Sequence, residues 1–163
     1  MDLYIIRHAW AAERDDSRWR DDGMRPLTAE GKERFARFVK KLVGIGVAPG
    51  IIATSPLVRC VETAEILAAA LDGPKLVKLD ELQPGSDLQG LLRWTVKQSA
   101  KHKQIAWVGH APDVDRLAAA LIGDGGALIR FSKGAVAAIH FDGEPVVGQG
   151  ELQWSANAKL LGC

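Results

Sequence analysis

Short apolar runs alternate along the chain with longer stretches in which apolar residues recur every three or four positions. The short runs predict β-strands, at residues 2–7, 50–54, 75–79, 104–109, 135–142 and 150–155. The first, second and fourth runs contain continuous apolar stretches, which are typical of strands covered on both faces. The last two runs are joined by a turn-rich segment, so we expect them to pair antiparallel.

The longer stretches predict four amphipathic helices, over residues 28–43, 56–71, 87–100 and 112–122. Thr28 and Ser55 are expected to cap the first two, and Pro56 suits the first position of the second. Gly44 and Gly123 are placed to end the first and the last helix. Because strands alternate with helices, we predict a three-layer α/β/α sandwich with a mostly parallel sheet and an antiparallel strand in its C-terminal part.

Residues 9–27 do not follow either pattern. The segment combines arginines with carboxylates and has no apolar period. A connection this long without secondary structure is usually functional or mobile. The alternative is a solvated surface loop.

Composition narrows the class of protein. The chain has 163 residues, of which 47% are hydrophobic, and this suits one domain over residues 1–163. Its net charge is +1 and no block of like charge stands out, so neither a nucleic-acid partner nor a membrane partner is indicated. Cys60 and Cys163 have no metal or disulfide spacing. The N-terminal apolar run is too short for a signal peptide, so we expect a cytoplasmic protein.

Polar residues follow three of the predicted strands. Arg7 and His8 end the first strand, residues 55–59 follow the second, and His110 follows the fourth. A lone histidine at a strand end is more often structural than catalytic. However, ligands of open α/β sheets bind where parallel strands end, and the three turns share that location. Together they indicate one site.

Arg59 gives the clearest indication of the ligand. It falls near the first turn of the predicted second helix, where the helix dipole disfavours a cation. That position is reasonable if Arg59 and the helix end both face an anion, and the planar fork of arginine suits phosphoryl oxygens. Arg7 would supply a second fork. The alternative for Arg59 is a salt bridge to Glu62 or Glu65 on its own helix.

Two converging arginines also give His8 a role. Positive surroundings favour the neutral imidazole, which is the nucleophilic form. A neutral histidine can attack phosphorus and form a covalent phosphohistidine. The arginines and His110 would then stabilise the charge on the phosphoryl oxygens.

Four segments together resemble the histidine phosphatase superfamily, which has the phosphoglycerate-mutase-like fold, and in particular its SixA-like phosphohistidine phosphatases. They are "LYIIRHAWA", "RPLTAEGKE", "ATSPLVRCVETAEIL" and "WVGHAPDVDRLAAAL". The resemblance implies that His8 is phosphorylated and that Arg7, Arg59 and His110 complete a phosphate pocket. It also implies that Arg25 lies at the rim and binds phosphate.

The chain departs from the family pattern at three places. Ala9 replaces the usual glycine after the nucleophile, and Glu62 replaces a common glutamine. Many members use a carboxylate after the third strand as proton donor, and "DELQPG" offers Asp80 and, in better register, Glu81. Short members of the branch can work without such a donor, so Glu81 is a candidate catalytic acid with a solvated loop carboxylate as the alternative.

Other motifs are missing from the sequence. It has no GxxxxGK[ST] phosphate loop and no HExxH-type cluster, so we expect neither a nucleotide-hydrolysing P-loop nor a metal or other cofactor. His140 is expected to be structural, because it lies in an alternating strand away from the three turns. His102 is expected to be exposed at a polar helix end.

The sequence therefore predicts a metal-independent phosphatase that uses a phosphohistidine intermediate. Few residues separate "DELQPG" from the next helix, and an uncovered pocket favours phosphohistidine on a protein as substrate. A small phosphomonoester is the alternative substrate. A module that binds phosphate without turnover is a third hypothesis, which the complete set of His8, Arg7, Arg59 and His110 argues against.

Overall fold

The computed structural model describes residues 1–15, 17–123 and 125–163. The strands in this part of the chain are β1 Asp2–Arg7, β2 Ile51–Thr54, β3 Lys75–Lys78, β4 Gln104–Gly109, β5 Val136–His140 and β6 Glu151–Ala156. The α-helices are α1 Ala29–Gly44, α2 Val58–Ala69, α3 Leu88–Ser99 and α4 Asp113–Leu121. Each predicted strand and helix is confirmed, and the ends differ from the prediction by at most two residues.

The strands form one sheet in the order β3-β2-β4-β1-β5-β6. The four strands from β3 to β1 run parallel, whereas β5 is antiparallel to both β1 and β6. The edge strands β3 and β6 are more exposed than the four between them. The predicted mostly parallel sheet with an antiparallel strand near the C-terminus is confirmed.

The side chains of β1 show how the sheet divides the core. Tyr4 and Ile6 belong to a buried cluster with the apolar faces of α1 and α2. Leu3 and Ile5 belong to a second cluster, on the other face, with α3 and α4. Because successive side chains of a strand point to opposite faces, one apolar run supplies both layers of core. The three-layer sandwich is confirmed.

The connections create a crevice at the carboxyl ends of the parallel strands. The chain leaves β1 and β2 toward the helices on one face, and it leaves β4, which lies between them, toward the other face. Neighbouring parallel strands whose connections go to opposite faces leave an opening beyond their carboxyl ends. The polar residues predicted at the strand ends lie at this opening: Arg7, His8, Ser55 and His110.

The second helix begins later than predicted. Its first residue is Val58 and its N-cap is Leu57, which makes no side-chain capping bond, so Pro56 precedes the helix. The Ser55 hydroxyl lies 2.9 Å from Nε2 of His110 and 3.4 Å from the amide of Leu57. The prediction of Ser55 as a helix cap was wrong because this buried hydroxyl has a tertiary partner.

The predicted ends of the first helix were partly right. Thr28 is its N-cap, and the Thr28 side chain accepts a hydrogen bond of 2.9 Å from the amide of Gly31. At the other end, Gly44 is still helical and Gly46 has the left-handed backbone, with φ of 94°. Glycine is favoured there because it has no Cβ to clash in that conformation.

The irregular segment at residues 9–27 is tied down at both ends. Apart from residue 16, which lies outside the described residues, it contains one antiparallel bridge, between Ala11 and Leu27, and one short 3₁₀ turn, Asp22–Met24. The carboxylate of Glu62 on α2 accepts a hydrogen bond of 2.6 Å from the amide of Leu27. These contacts hold the 3₁₀ turn close to the first turn of α2. No helix among the described residues is long and apolar enough to cross a membrane.

Candidate active site

His8 lies directly after β1 with its ring buried. Its Nδ1 is 2.8 Å from the carbonyl oxygen of Ala9. A carbonyl can only accept, so Nδ1 carries the proton of the neutral ring and Nε2 keeps its lone pair. The amide of Ala9 in turn donates to Oγ1 of Thr63 at 3.0 Å, which fixes this backbone. The local fold therefore leaves Nε2 without a proton.

The surroundings of His8 keep its ring uncharged. Burial, and then the neighbouring ring of His110 and the positive charges of Arg59 and Arg7, lower the pKa of His8 from 6.5 to about 3. The hydrogen bond to Ala9 opposes this shift but does not outweigh it. At neutral pH the nucleophilic form is present without a separate general base to create it.

His110 follows β4 and faces His8. The centres of the two rings are 5.4 Å apart. Besides the contact of Nε2 with Ser55, Sγ of Cys60 lies 3.4 Å from the same nitrogen. Burial and the charge of Arg59 lower the pKa of His110 to about 4, while Asp22 acts to raise it. Both rings of the pair are therefore neutral at physiological pH.

Arg7 and Arg59 are anchored in the same way. Nη1 of Arg7 donates to the carbonyl oxygen of Phe131 at 2.7 Å, and Nη1 of Arg59 donates to that of Asp22 at 2.9 Å. In both side chains Nε is buried and has no hydrogen-bond partner among the described residues. A buried donor without a partner is costly, and a phosphoryl oxygen would satisfy it.

Each of these arginines, Arg59 buried and Arg7 partly buried, also has a carboxylate that offsets its loss of solvent. Burial lowers the pKa of the Arg59 guanidinium, and Asp22 raises it, with an ion pair of 3.1 Å between Nη1 and Oδ2. Burial lowers the pKa of Arg7 as well, and Asp115 raises it. These counter-charges let two guanidinium groups stay charged close to the same pair of histidines.

Asp22 is the site residue that sequence reasoning missed. Its carboxylate contacts Arg59 through Oδ2 and Nε of Arg25 through Oδ1 at 3.0 Å. The hydrogen bond from Arg25 is the main reason that its pKa is lowered, so it remains a carboxylate. The only signal in the sequence was the density of charge in residues 9–27, which does not single out Asp22 from the other acidic residues there.

Arg25 lies beside Asp22, the partner of Arg59. Two of its nitrogens are occupied, Nε by Asp22 and Nη1 by the carbonyl oxygen of Ala12 at 2.8 Å. Its charge contributes to the lowered pKa of both His110 and Arg59, so it is close to the pocket. Phosphate binding by Arg25 stays a prediction.

Glu81 lies in a second 3₁₀ turn, Asp80–Leu82, after β3. The side chain packs beside α3, where a Cβ on Gly90 would be 2.8 Å from its Cγ. The carboxylate that acts on the pKa of His110 is Asp22. A role for Glu81 as proton donor stays a prediction.

Several alternatives can be settled from the contacts. Arg59 pairs with Asp22, whereas Glu62 pairs with Lys32, so the alternative of a salt bridge from Arg59 along its own helix was wrong.

The remaining cysteine and histidine candidates are explained by their surroundings. Burial raises the pKa of Cys60 to about 12, so it is a neutral thiol. His140 is bound to Asp2 at 2.7 Å, at the far end of β1, as expected for a structural residue. Within the described ranges, no group of three or more His, Cys, Asp or Glu residues could hold a metal ion.

Comparison with known proteins gives matches that span the site. The family model of the histidine phosphatase superfamily (branch 1) matches residues 3–129. An uncharacterized protein of Picosynechococcus sp. is 39% identical over 122 residues, which are 74% of this chain and 73% of that protein. The structure of the protein histidine phosphatase SixA complexed with tungstate is similar over 99% of both chains, with a TM-score of 0.86 and 26% identity.

A further solved structure shares the fold. It is a protein of Agrobacterium tumefaciens assigned as a phosphohistidine phosphatase SixA, with a TM-score of 0.78 and 21% identity. The similarity covers 96% of this chain and 97% of that one. The sheet order and both helical layers therefore recur over nearly the whole length of each chain.

Proposed function

The chain belongs to the histidine phosphatase superfamily (branch 1) and is a phosphatase, and we propose that it acts through a covalent phosphohistidine at His8. One observation carries this proposal. The hydrogen bond from Nδ1 to Ala9 leaves Nε2 of a neutral ring unprotonated, beside two guanidinium groups whose Nε–H donors are buried and unpartnered among the described residues. A phosphorylated substrate supplies the oxygens that these donors need.

In the first step, Nε2 of His8 attacks phosphorus in line. The new N–P bond forms as the bond to the leaving atom breaks, and the leaving atom takes a proton from solvent or, when it belongs to an alcohol, from Glu81. Positive charge that develops on the ring is stabilised at Nδ1–H by the carbonyl oxygen of Ala9. Arg7 and Arg59 stabilise the charge on the phosphoryl oxygens that do not react.

In the second step, water attacks the phosphorus of the phosphohistidine. The N–P bond breaks, the hydroxyl of the water goes to phosphate, and its proton is released. The ring returns to the neutral form that its surroundings favour, so the enzyme is ready for another cycle. Glu81 is proposed as the residue that protonates the leaving group when that group is a poor one, such as an alcohol.

We propose phosphohistidine on a protein as the substrate. The likeness to the SixA structure with tungstate, an oxyanion with the tetrahedral shape of phosphate, supports this class. The short connection between β3 and α3, with only one 3₁₀ turn between Lys78 and Leu88 among the described residues, supports a pocket that another protein can reach. A small phosphomonoester treated by the same residues is the second candidate.

Labelling with ³²P tests the intermediate. A substrate protein whose histidine carries ³²P should transfer the label to the wild type in an acid-labile, base-stable form. The His8→Ala variant should take up none. Equal labelling of both proteins would contradict the proposal. Turnover of the same phosphoprotein against a panel of small phosphate esters separates the two candidate substrates.

A further inference from the structure

A cavity lined in part by cations lies near the catalytic residues. It has a volume of about 270 Å³ and is lined by Trp10, Arg34, Ser132, Lys133, Asn157, Ala158 and Lys159. Three of these residues are cations and none is a carboxylate. We refer to it as the basic cavity.

The topology places the basic cavity at the same end of the sheet as His8, beyond the carboxyl end of β1. The amide of Gly134, next to Lys133, donates to the carbonyl oxygen of His8 at 3.0 Å. Lys159 follows the end of β6, whose last residues pair with the start of β5. One strand separates β6 from β1, so Ala156, the last residue of β6, is about 10 Å from the end of β1, which is two strand spacings, and Lys159 lies three residues beyond it.

The charges of the basic cavity are only partly used by the protein. Arg34 lies over the ring of Trp10 at 4.3 Å, and its Nε donates to a main-chain oxygen of Cys163, the last residue, at 3.2 Å. Lys133 and Lys159 are exposed, and their side chains form neither a hydrogen bond nor an ion pair with any described residue. Like charges that share a cavity repel one another, so a purely structural role would pair the lysines with carboxylates.

We propose that the basic cavity is a subsite for an acidic group of the substrate, which binds there while the phosphoryl group reacts at His8. This inference rests on the proposed phosphatase function. The separation of about 10 Å between the ends of β1 and β6 suits a polypeptide substrate, because an extended chain covers about 3.3 to 3.6 Å per residue. The subsite therefore accepts an aspartate or glutamate about three residues from the phosphorylated residue of a protein.

Binding of three synthetic peptides tests the subsite. Each carries one phosphohistidine, and the third residue after it is Glu, Gln or Lys. Affinity is measured by fluorescence anisotropy in the His8→Ala background, so that no peptide is consumed. We expect the Glu peptide to bind about fivefold more tightly than the Gln peptide for each lysine contacted, as for charges about 4 Å apart in water. The Lys peptide should bind most weakly.

Charge reversal assigns the effect to the cavity. The double variant K133E K159E should abolish or reverse the preference for Glu, and added salt should reduce the preference of the parent protein. The matched control is K75E. Lys75 is also exposed, but it is the first residue of β3 and therefore lies at the amino ends of the parallel strands, away from His8. Equal affinity of the parent for all three peptides, or an equal loss in K75E, would overturn the proposal.

A small molecule could supply the same chemistry, and hexane-1,6-diol bisphosphate is the probe for it. If K133E K159E weakens binding of this bisphosphate as much as it weakens binding of the Glu peptide, the cavity binds a second phosphate and the assignment to a polypeptide is wrong. Turnover of the three peptides by the protein with His8 intact is a separate measurement. Its failure would contradict the proposed function, whereas the binding data would still report on the subsite.

Discussion

The two ends of β1 carry the same types of residue in opposite environments. At the carboxyl end, His8 is buried among cations, and burial and charge lower its pKa to about 3. At the amino end, His140 of the neighbouring strand is half exposed and hydrogen-bonded to Asp2 and Asp142, and these contacts raise its pKa. One end holds a neutral imidazole, which we propose as the nucleophile, and the other favours an imidazolium. Surroundings rather than residue type decide which histidine can do chemistry.

The charged partners at the two ends of β1 extend the comparison. At the carboxyl end, the backbone and Asp22 bind one nitrogen of a guanidinium and leave Nε without a partner among the described residues. At the amino end, the carboxylate of Asp2 is satisfied by His140. A satisfied ion pair serves stability, whereas a buried, partly unsatisfied cation is reasonable only where a ligand completes it. The following predictions test this difference.

Replacement of the nucleophile has the largest expected effect. The variant His8→Ala should lose more than about a thousandfold in kcat, because residues that act as a unit cannot substitute for one another. Phosphate release from a phosphohistidine protein measures the loss. His140→Ala is the control and should keep the parent rate. A similar loss in both variants would mean that the two ends of β1 do not differ as described.

Replacement of Arg59 comes next. Arg59→Ala should lower kcat by about 10² to 10³, the usual result of removing one donor that stabilises transition-state charge. Arg59→Lys should recover little of the rate, because a lysine has a single ammonium group and no planar fork. Steady-state kinetics with vanadate as inhibitor measures both. Full activity of the lysine variant would show that charge alone, and not the fork geometry, is needed.

Asp22 should show a smaller effect that acts through Arg59. Asp22→Ala is expected to lower kcat/KM by about tenfold, since one charged hydrogen bond is lost while the backbone carbonyl still holds Nη1. Asp22→Asn should recover part of the rate, because the amide oxygen can still accept. Asp72→Ala is the control, since Asp72 is exposed beyond α2. If Asp22→Ala raised the affinity for phosphate, Asp22 would be a competitor of the substrate and not a support for Arg59.

Titration by NMR sharpens the comparison directly. The ring signals of His8 and His110 should not shift between pH 8 and 5, because their pKa values are about 3 and about 4. Since the unfolded histidines have a pKa of about 6.5, their contribution to the free energy of unfolding is complete above that pH and is lost as the pH falls through the folded values. Acid unfolding checks the second part. A His8 midpoint near pH 6.5 would disprove the neutral nucleophile.

The smallest effect is expected at His140. Its raised pKa means that the contact with Asp2 stabilises the fold below the unfolded pKa, and that this contribution is lost as the pH rises through the folded value. Because the pair is exposed, His140→Ala should cost only a few tenths of a kcal/mol at pH 5.5 and nothing measurable at pH 8. Denaturant unfolding at both pH values measures the difference. A larger cost at pH 8 than at pH 5.5 would contradict the assignment.

Much of this architecture could be predicted from the sequence. The apolar runs of β1, β2 and β4 and the helical periods located each element to within two residues, because burial on one or two faces leaves a direct periodic mark. The family resemblance is also confirmed by the match over residues 3–129. The carboxyl ends of parallel strands share one edge, so the meeting of Arg7, His8, Arg59 and His110 followed from the order of elements.

The contacts of the irregular segment at residues 9–27 and of Ser55 could not be predicted in the same way. Asp22 reaches Arg59 across 37 positions because Leu27 is held by Glu62 and paired with Ala11. Ser55 likewise has the local pattern of a helix cap, but its hydroxyl contacts His110 from another strand end. Neither contact leaves a periodic mark in the sequence.

By itself, the sequence determined the strands, the helices, the family and the four residues at the strand ends. Only the tertiary structure decided which nitrogen of His8 is free, which carboxylate supports Arg59, and that three cations line the basic cavity. The reason is physical. Periodicity records burial against neighbours of any identity, whereas protonation, ion pairing and orphaned donors depend on the particular atoms that folding brings within about 3 Å of one another.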